Sequence, residues 1–206
     1  MITLIDSGIG NLGSVKNMLR SVGAAHLATS DANTVAQAEK LLLPGVGAFD
    51  SGIEALASLG LIPAIQHAVA VRRRPILGIC LGMQLLGAAS EEGARPGLNL
   101  HRSRTIRIAT QTLDGRKLRV PHMGWNTVVA CRPHALTRDL PEPIRFYFVH
   151  SYTVACDDPN DVLLECQYSG AFTAAFAHDN VMGVQFHPEK SHRFGMALLK
   201  NFTENV

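Results

Sequence analysis

Residues 78–82, Gly-Ile-Cys-Leu-Gly, place a cysteine between two glycines where an apolar run gives way to a helical pattern. In this spacing a sharp strand-to-helix turn brings neighbouring backbone too close for Cβ atoms and forces the central residue into a strained conformation. A cysteine at a helix N-terminus is favoured as the thiolate, which attacks carbonyl carbons. The backbone N–H of Leu81 can then face a developing oxyanion. The pentapeptide alone fits a nucleophilic Cys80 and a structural cysteine in a tight turn equally well.

A candidate base occurs near the end of the chain, in Gln-Phe-His-Pro-Glu at residues 185–189. Because Pro188 fixes the local backbone, His187 and Glu189 can project from the same short loop. The carboxylate would hold the imidazole in one tautomer while the other ring nitrogen faces a thiol. The residues therefore predict a Cys80–His187–Glu189 triad for attack on a carbonyl group.

The other cysteines and histidines have no comparable pattern. Cys131, Cys156 and Cys166 form no C-x-x-C pair and have no metal-finger spacing, so each is expected to be a free thiol. No spacing among the nine histidines and four cysteines favours a metal site, although scattered residues could still meet in the fold.

A second motif suggests different chemistry. Residues 8–13, Gly-Ile-Gly-Asn-Leu-Gly, read G-x-G-x-x-G after a first strand, and Asp31 stands near the end of a second. Alone, this is the fingerprint of dinucleotide binding and would indicate an oxidoreductase. It explains nothing about Cys80, His187 or Glu189, and Asn11 and Leu12 suit close helix packing at a cofactor poorly. We rank it well behind the triad.

The first ninety residues alternate short apolar runs with helical patterns, which predicts a parallel sheet with helices on its faces. Strands are expected at residues 1–6, 24–29, 41–43 and 75–79, with helices at 12–22, after Asp31, at 53–59, 62–71 and 83–89. The third strand is expected to end in the turn at residues 44–47.

From about residue 95 the sequence favours strands and hairpins, because Val, Thr, Ile, Tyr and Phe recur in short runs between turn residues. Strands are expected at residues 104–110, 125–130, 144–149, 162–168, 171–177 and 181–186, before a final helix at about 192–202. The predicted fold is α/β, a mainly parallel central sheet flanked by helices with added antiparallel strands. One domain over residues 1–206 is expected.

Composition narrows the class of protein further. The chain has 206 residues, of which 47% are hydrophobic and 17% charged, with a formal net charge of +2. This balance argues against disorder and against nucleic-acid binding by charge alone. The apolar stretch at 75–90 is too short to span a membrane, and the N-terminus lacks the basic start of a secretory signal, so a cytoplasmic protein is expected.

Several stretches together resemble class I glutamine amidotransferases. These are residues 78–84 with Phe-His-Pro-Glu at 186–189, in the order of that family's Cys-His-Glu triad, and Pro-Gly-Val-Gly at 44–47, which resembles its oxyanion strand. Three more stretches, at residues 6–15, 121–126 and 148–152, together with Lys190 and Ser191, resemble the glutaminase subunits of imidazole glycerol phosphate synthase. The resemblance covers nearly the whole chain.

The resemblance implies hydrolysis of glutamine to glutamate and ammonia by Cys80, His187 and Glu189, without a cofactor or metal. It implies three further sets of residues: an oxyanion site of Val46, Gly47 and Leu81; a glutamine site of Gln84, His150, Ser151 and Tyr152; and a partner interface with Asn11, Trp125, Asn126 and Lys190.

The implied partner is a (β/α)₈ synthase subunit that uses the ammonia to make imidazole glycerol phosphate and an aminoimidazole carboxamide ribotide. Two alternatives remain open. A related amidotransferase subunit serving anthranilate or another synthase would share the triad, although Met-Gly-Trp-Asn at 123–126 speaks against it. A non-enzymatic α/β binding module would need no triad.

Overall fold

A computed structural model describes residues 1–112, 115 and 117–206 of the chain. The strands are β1 Ile2–Ile5, β2 His26–Thr29, β3 Leu41–Gly45, β4 Ile76–Cys80, β5 Ala89–Ser90, β6 Ser103–Arg107, β7 His122–Ala130, β8 Arg145–His150, β9 Tyr152–Cys156, β10 Val162–Gln167, β11 Ala171–His178 and β12 Val181–Val184. The α-helices are α1 Leu12–Ser21, α2 Ala32–Ala36, α3 Phe49–Ser58, α4 Leu61–Gln66, α5 Leu81–Leu85 and α6 His192–Glu204. A π-helical turn, His67–Val71, continues α4.

The sheet has a parallel and an antiparallel half. Along its main path the strand order is β2-β1-β3-β4-β12-β11-β10-β7-β8, while β5, β6 and β9 pair off this path. The first five strands of this path, β2, β1, β3, β4 and β12, run parallel to one another. From β12 onward, through β11, β10, β7 and β8, each strand is antiparallel to its neighbour. The predicted α/β class, with a parallel sheet extended by antiparallel strands, is confirmed.

Two helix-bearing layers cover opposite faces of the sheet. One contains α1 and α6, with Leu19 and Phe202 in its core; the other contains α3 and α4, with Leu56 and Ile65. Neighbouring residues of β3 point to different layers, as the period of two in a strand requires. Since both faces are covered at the centre of the sheet, β3, β4 and β12 are buried along their whole length, and polar chemistry is left to their ends.

The main departures from the predicted elements lie near Cys80. Strand β3 continues through Pro44 and Gly45, which pair with Ile79 and Cys80, instead of ending before residue 44. Proline is tolerated there because the ladder with β1 already ends at Leu42. Helix α5 begins directly after Cys80 rather than at residue 83, and strand β9 was not predicted.

None of the single helices in the described part of the chain is long and apolar enough to cross a membrane. Helix α3 and the segment Leu61–Val71 meet the requirements of length and composition only as a pair, with a bend of 90° between them. Ile53, Leu56 and Ile65 of this pair are buried in the protein core.

Candidate active site

Cys80 lies at a strained elbow between β4 and α5. Its φ of 54° and ψ of −110° are unusual for a residue with a side chain. A Cβ on Gly78 would lie 2.6 Å from the Gly82 carbonyl oxygen, and one on Gly82 would lie 1.8 Å from that of Leu43. The two glycines therefore permit the close backbone approach that the elbow needs, as the spacing predicted.

His187 and Glu189 form a buried pair in the loop that follows β12. Nδ1 of His187 is 2.8 Å from Oε1 of Glu189, and the side chains are 2% and 3% exposed. Burial alone lowers the pKa of His187, but its interactions with Cys80 and Glu189 outweigh burial and raise the pKa to about 9. At neutral pH the imidazole therefore carries a proton and places a positive charge next to Cys80.

Ser191 fixes the backbone of this loop. Its Oγ donates to the His187 carbonyl oxygen at 2.6 Å and accepts from the Tyr147 N–H at 3.0 Å. The His187 N–H in turn donates to the Tyr147 carbonyl at 2.9 Å. His187 is thus held to Tyr147 of strand β8 directly and through Ser191. Sequence reasoning assigned Ser191 no role in the site.

The expected oxyanion residues line the cavity that holds Cys80. Leu81 is the first residue of α5, so its N–H has no acceptor within the helix. Val46 and Gly47 are exposed and line the same cavity as Cys80. Gly47 has a φ of 105°, which residues with side chains rarely adopt.

A cavity of about 300 Å³ opens over Cys80, at the small end of the usual range for ligand sites. Its lining includes all the expected oxyanion and glutamine residues together with Cys80 and His187: Val46, Gly47, Cys80, Leu81, Gln84, Glu92, Pro121, Val149, His150, Ser151, Tyr152, His187 and Lys190. Among these, Glu92, Pro121 and Val149 were not selected from the sequence.

Tyr152 contributes its backbone carbonyl to the site. This oxygen accepts from Gln84 Nε2 at 3.2 Å and lies 2.7 Å from His150 Nδ1. Since a carbonyl can only accept, Nδ1 of His150 carries the hydrogen. Gln84 and His150 are therefore held by one main-chain atom.

His150 continues a directed chain of hydrogen bonds to the surface. With hydrogen on Nδ1, its Nε2 accepts from Nδ1 of His122 at 3.0 Å, and Nε2 of His122 lies 3.3 Å from Asn126 Nδ2. Burial lowers the pKa of His122 to about 4 and that of His150 to about 3. Both rings are neutral at pH 7, as this chain requires.

Glu92, in the loop after β5, contacts the segment that follows the expected oxyanion residues. Its Oε2 accepts the N–H of Phe49 at 2.9 Å, two residues beyond Gly47. Glu92 is the one carboxylate among the described residues that line the cavity. Neither its anchoring contact nor its place in the cavity follows from local sequence.

The expected interface residues lie in different settings. Trp125 is 38% exposed and stacks on His192, with ring centroids 5.6 Å apart, while Lys190 Nζ lies 5.7 Å from the Tyr147 ring centroid. Asn126 donates to the Gln167 carbonyl at 3.1 Å. Asn11 caps α1 by accepting from the Ser14 N–H at 3.3 Å, so its side chain already has a structural contact.

The acidic residue that the dinucleotide interpretation needs has a structural role instead. Asp31, the expected ribose ligand of the dinucleotide interpretation, caps α2 through Thr34.

A second cavity, of about 590 Å³, lies beside His101, Asp161 and His178. Both carboxylate oxygens of Asp161 already contact the two histidines. Among the described residues, no three His, Cys, Asp or Glu side chains group to hold a metal ion.

Known proteins resemble this chain in sequence and in fold along nearly its whole length. The sequence model of the class I glutamine amidotransferase family matches residues 3–206. The fold resembles solved structures of a glutamine amidotransferase (TM-score 0.71, 15% identity, 98% of this chain and 99% of that one) and of PurLQS from Thermotoga maritima (TM-score 0.69, 17% identity, 97% and 96%). The chain belongs to the class I glutamine amidotransferase family.

Comparison with individual relatives shows to which group within this family the chain belongs. It is 52% identical over 206 residues to imidazole glycerol phosphate synthase subunit HisH 2 of Pseudomonas aeruginosa and 47% identical to the protein of that name from Methanococcus maripaludis, covering 100% of each chain in both cases. It is 44% identical to subunit HisH of Sulfurimonas denitrificans, over 99% of this chain and 98% of that one. Within the family the chain belongs to the HisH group.

Proposed function

We propose that this chain hydrolyses the side-chain amide of L-glutamine to glutamate and ammonia. The observation that carries the proposal is the buried His187–Glu189 pair beside a thiol at a strand-to-helix elbow. A structural cysteine in a tight turn would need neither a protonated imidazole next to it nor a carboxylate fixing that imidazole. Membership of the HisH group supports the same activity.

In the proposed mechanism the Cys80 thiolate attacks the amide carbon, and the C–O π electrons move to oxygen. The N–H groups of Leu81 and of the Val46–Gly47 segment stabilise the resulting oxyanion. His187 gives its proton to the departing nitrogen as the C–N bond breaks, so ammonia leaves and a thioester remains on Cys80. A water molecule then attacks the thioester while His187 removes a proton from that water. The C–S bond breaks, glutamate leaves and the thiolate of Cys80 is restored. Glu189 keeps Nδ1 of His187 protonated throughout.

Glutamine recognition is assigned to Gln84, His150, Ser151 and Tyr152, with Glu92 added on structural grounds. A free amino acid presents an α-ammonium group, and the only carboxylate among the described lining residues is its natural partner. One oxygen of Glu92 holds the Phe49 N–H, which fixes the side chain for the other to receive a ligand.

The ammonia is proposed to pass to a (β/α)₈ synthase subunit that makes imidazole glycerol phosphate and an aminoimidazole carboxamide ribotide in histidine biosynthesis, in the cytoplasm. HisH is the subunit name of the relatives. An exposed apolar surface near the cavity suits such a partner: Met123 and Trp125, 62% and 38% exposed, share one face of β7, and Val46 is 43% exposed. Asn11, Asn126 and Lys190 are assigned to the same interface.

The direct test measures ammonia and glutamate released from glutamine by the purified chain, with and without the synthase barrel and its ribotide ligand. Equal amounts of the two products are expected from the chain alone, whereas with the barrel and its ligand glutamate accumulates while the synthase consumes the ammonia. A different synthase that stimulates release better than the barrel would reassign the partner, and no release under any condition would leave a binding module.

Glu92→Gln tests the assignment of the ammonium ligand. The amide keeps the size and can still accept the Phe49 N–H, but it loses the charge. We expect KM for glutamine to rise by about tenfold or more, with a smaller change in kcat, because a charged hydrogen bond to bound substrate is lost. Steady-state kinetics of the activated complex measure both constants. A fall in kcat at constant KM would instead assign Glu92 to the oxyanion segment.

A further inference from the structure

The sulfur of the nucleophile has a second buried polar neighbour besides the triad histidine. Nε2 of Gln185 lies 3.7 Å from Cys80 Sγ, and the Gln185 residue has no exposed surface. Its backbone N–H donates to the Ala174 carbonyl at 2.8 Å, so the amide is carried by the antiparallel ladder rather than by a free loop. A buried amide in this position must find partners for both its oxygen and its nitrogen.

The backbone decides which end of the Gln185 amide faces the sulfur. The Tyr152 carbonyl can only accept, so the Gln84 atom that contacts it is Nε2, at 3.2 Å. That same nitrogen lies 3.1 Å from the Gln185 side chain, so the atom it meets there is the oxygen Oε1. The nitrogen of Gln185 is left to point at Sγ. One main-chain carbonyl therefore sets the direction of two consecutive amides.

This direction matters because the two polar contacts of Sγ favour opposite protonation states. The Val149 carbonyl oxygen, 3.9 Å away, can receive a hydrogen only from the neutral thiol. The Gln185 N–H can donate to the thiolate, and a donor stabilises an anion more than a neutral acceptor.

The two histidines near the sulfur cannot stabilise the thiolate at every stage of the reaction, but an uncharged hydrogen-bond donor can. His187, with Glu189 behind it, is the cationic neighbour, but it gives up its proton when ammonia leaves. His150 is neutral, because burial lowers its pKa to about 3. An amide does not titrate, so its hydrogen bond is available at every stage of the reaction.

We propose that Gln185 stabilises the Cys80 thiolate by donating its Nε2–H, both before attack and when the thiolate leaves the thioester. This inference rests on the proposed role of Cys80 as the nucleophile. It adds to the triad a residue in contact with the reacting sulfur, with Gln84 and the Tyr152 carbonyl as the groups that orient it.

The test is the rate at which iodoacetamide alkylates Cys80 in the full chain, measured by peptide-resolved mass spectrometry from pH 5 to pH 10. Gln185→Met keeps a side chain of similar length but removes the donor. We expect alkylation of Cys80 at neutral pH to be about tenfold slower in the variant than in the wild type. The difference in rate should disappear at alkaline pH, where the thiol ionises even without the Gln185 donor. The exposed Cys131 serves as an internal standard.

A matched control removes another buried amide. Asn201, in α6, donates to the carbonyls of Leu136 and Arg138, and Asn201→Leu loses those bonds far from the sulfur. It is expected to lower stability and leave the pH profile of Cys80 unchanged. Gln185→Asn, which shortens the reach by one methylene, provides a second variant if the methionine variant does not fold, and the same upward shift of the profile is expected.

Two results would overturn the inference: an unchanged profile in the Gln185 variants, or a rate lowered by one constant factor at every pH, which indicates a structural lesion. Failure of the proposed function looks different. In that case the wild-type chain, activated by its partner, forms no glutamate from glutamine, whatever the Gln185 variants do.

Discussion

Cys80→Ala is expected to lower glutamine hydrolysis by the partner-activated complex by about 10⁴-fold or more. Loss of the nucleophile removes the covalent route, and in triads of this kind the remaining residues cannot replace it. The same variant should still bind glutamine and the synthase, because the elbow backbone is set by Gly78 and Gly82. Glutamate formation at saturating glutamine is the measurement.

The other three cysteines are the matched controls. Burial raises the pKa of Cys156 and of Cys166 to about 12, and burial together with nearby Glu165 raises that of Cys131. All three are therefore protonated at neutral pH and poor nucleophiles. Each alanine variant should keep most of the activity, and a glutamine-analogue electrophile should label Cys80 alone. Labelling of another cysteine, or full activity in Cys80→Ala, would remove Cys80 from its role.

The features that the sequence predicts well are those with local causes. The elbow follows from two glycines that flank one cysteine, and the contact of His187 with Glu189 spans only two positions. The parallel half of the sheet follows from apolar runs separated by helical patterns, since each run must be buried on both faces. Such patterns also indicate the edge of the sheet where strand ends meet.

The supporting contacts could not be predicted because they join distant parts of the chain. Gln185 lies 105 positions from Cys80 and 101 from Gln84, and Ser191 lies 44 from Tyr147. Nothing in the types of these residues indicates which atom each will meet. Strand β9 was missed for a related reason: its pairing with β6 and β11 depends on the assembled sheet.

The second large effect concerns coupling to the synthase. A glutaminase that worked freely would waste glutamine, so the isolated chain is expected to be slow. We expect binding of the barrel and its ribotide ligand to raise turnover by at least about a hundredfold, mainly through kcat. A donor gained at the oxyanion acts on the transition state and is worth about 3–4 kcal/mol, which is enough for this effect.

The segment that can supply this donor is the turn after β3. Gly47 has a φ of 105°, and its neighbour Val46 is exposed, so the peptide between them can rotate without breaking packed contacts. On the far side Glu92 holds the Phe49 N–H, which confines the movement to a few residues. Val46 is exposed at the cavity that holds Cys80, so a docked partner can contact the rotating peptide itself and shift its population.

Glutaminase turnover with and without the barrel and its ligand measures the effect, with complex formation verified separately. Gly47→Ala tests the turn itself. A side chain at φ 105° disfavours the conformation with this backbone and favours the rotated one, so the variant should need the partner less. Its partner-free rate should rise and its stimulation by the barrel should fall. Equal turnover of the wild-type chain in the free and bound states would mean that the oxyanion site is already complete, and the chain would then be a stand-alone amidase.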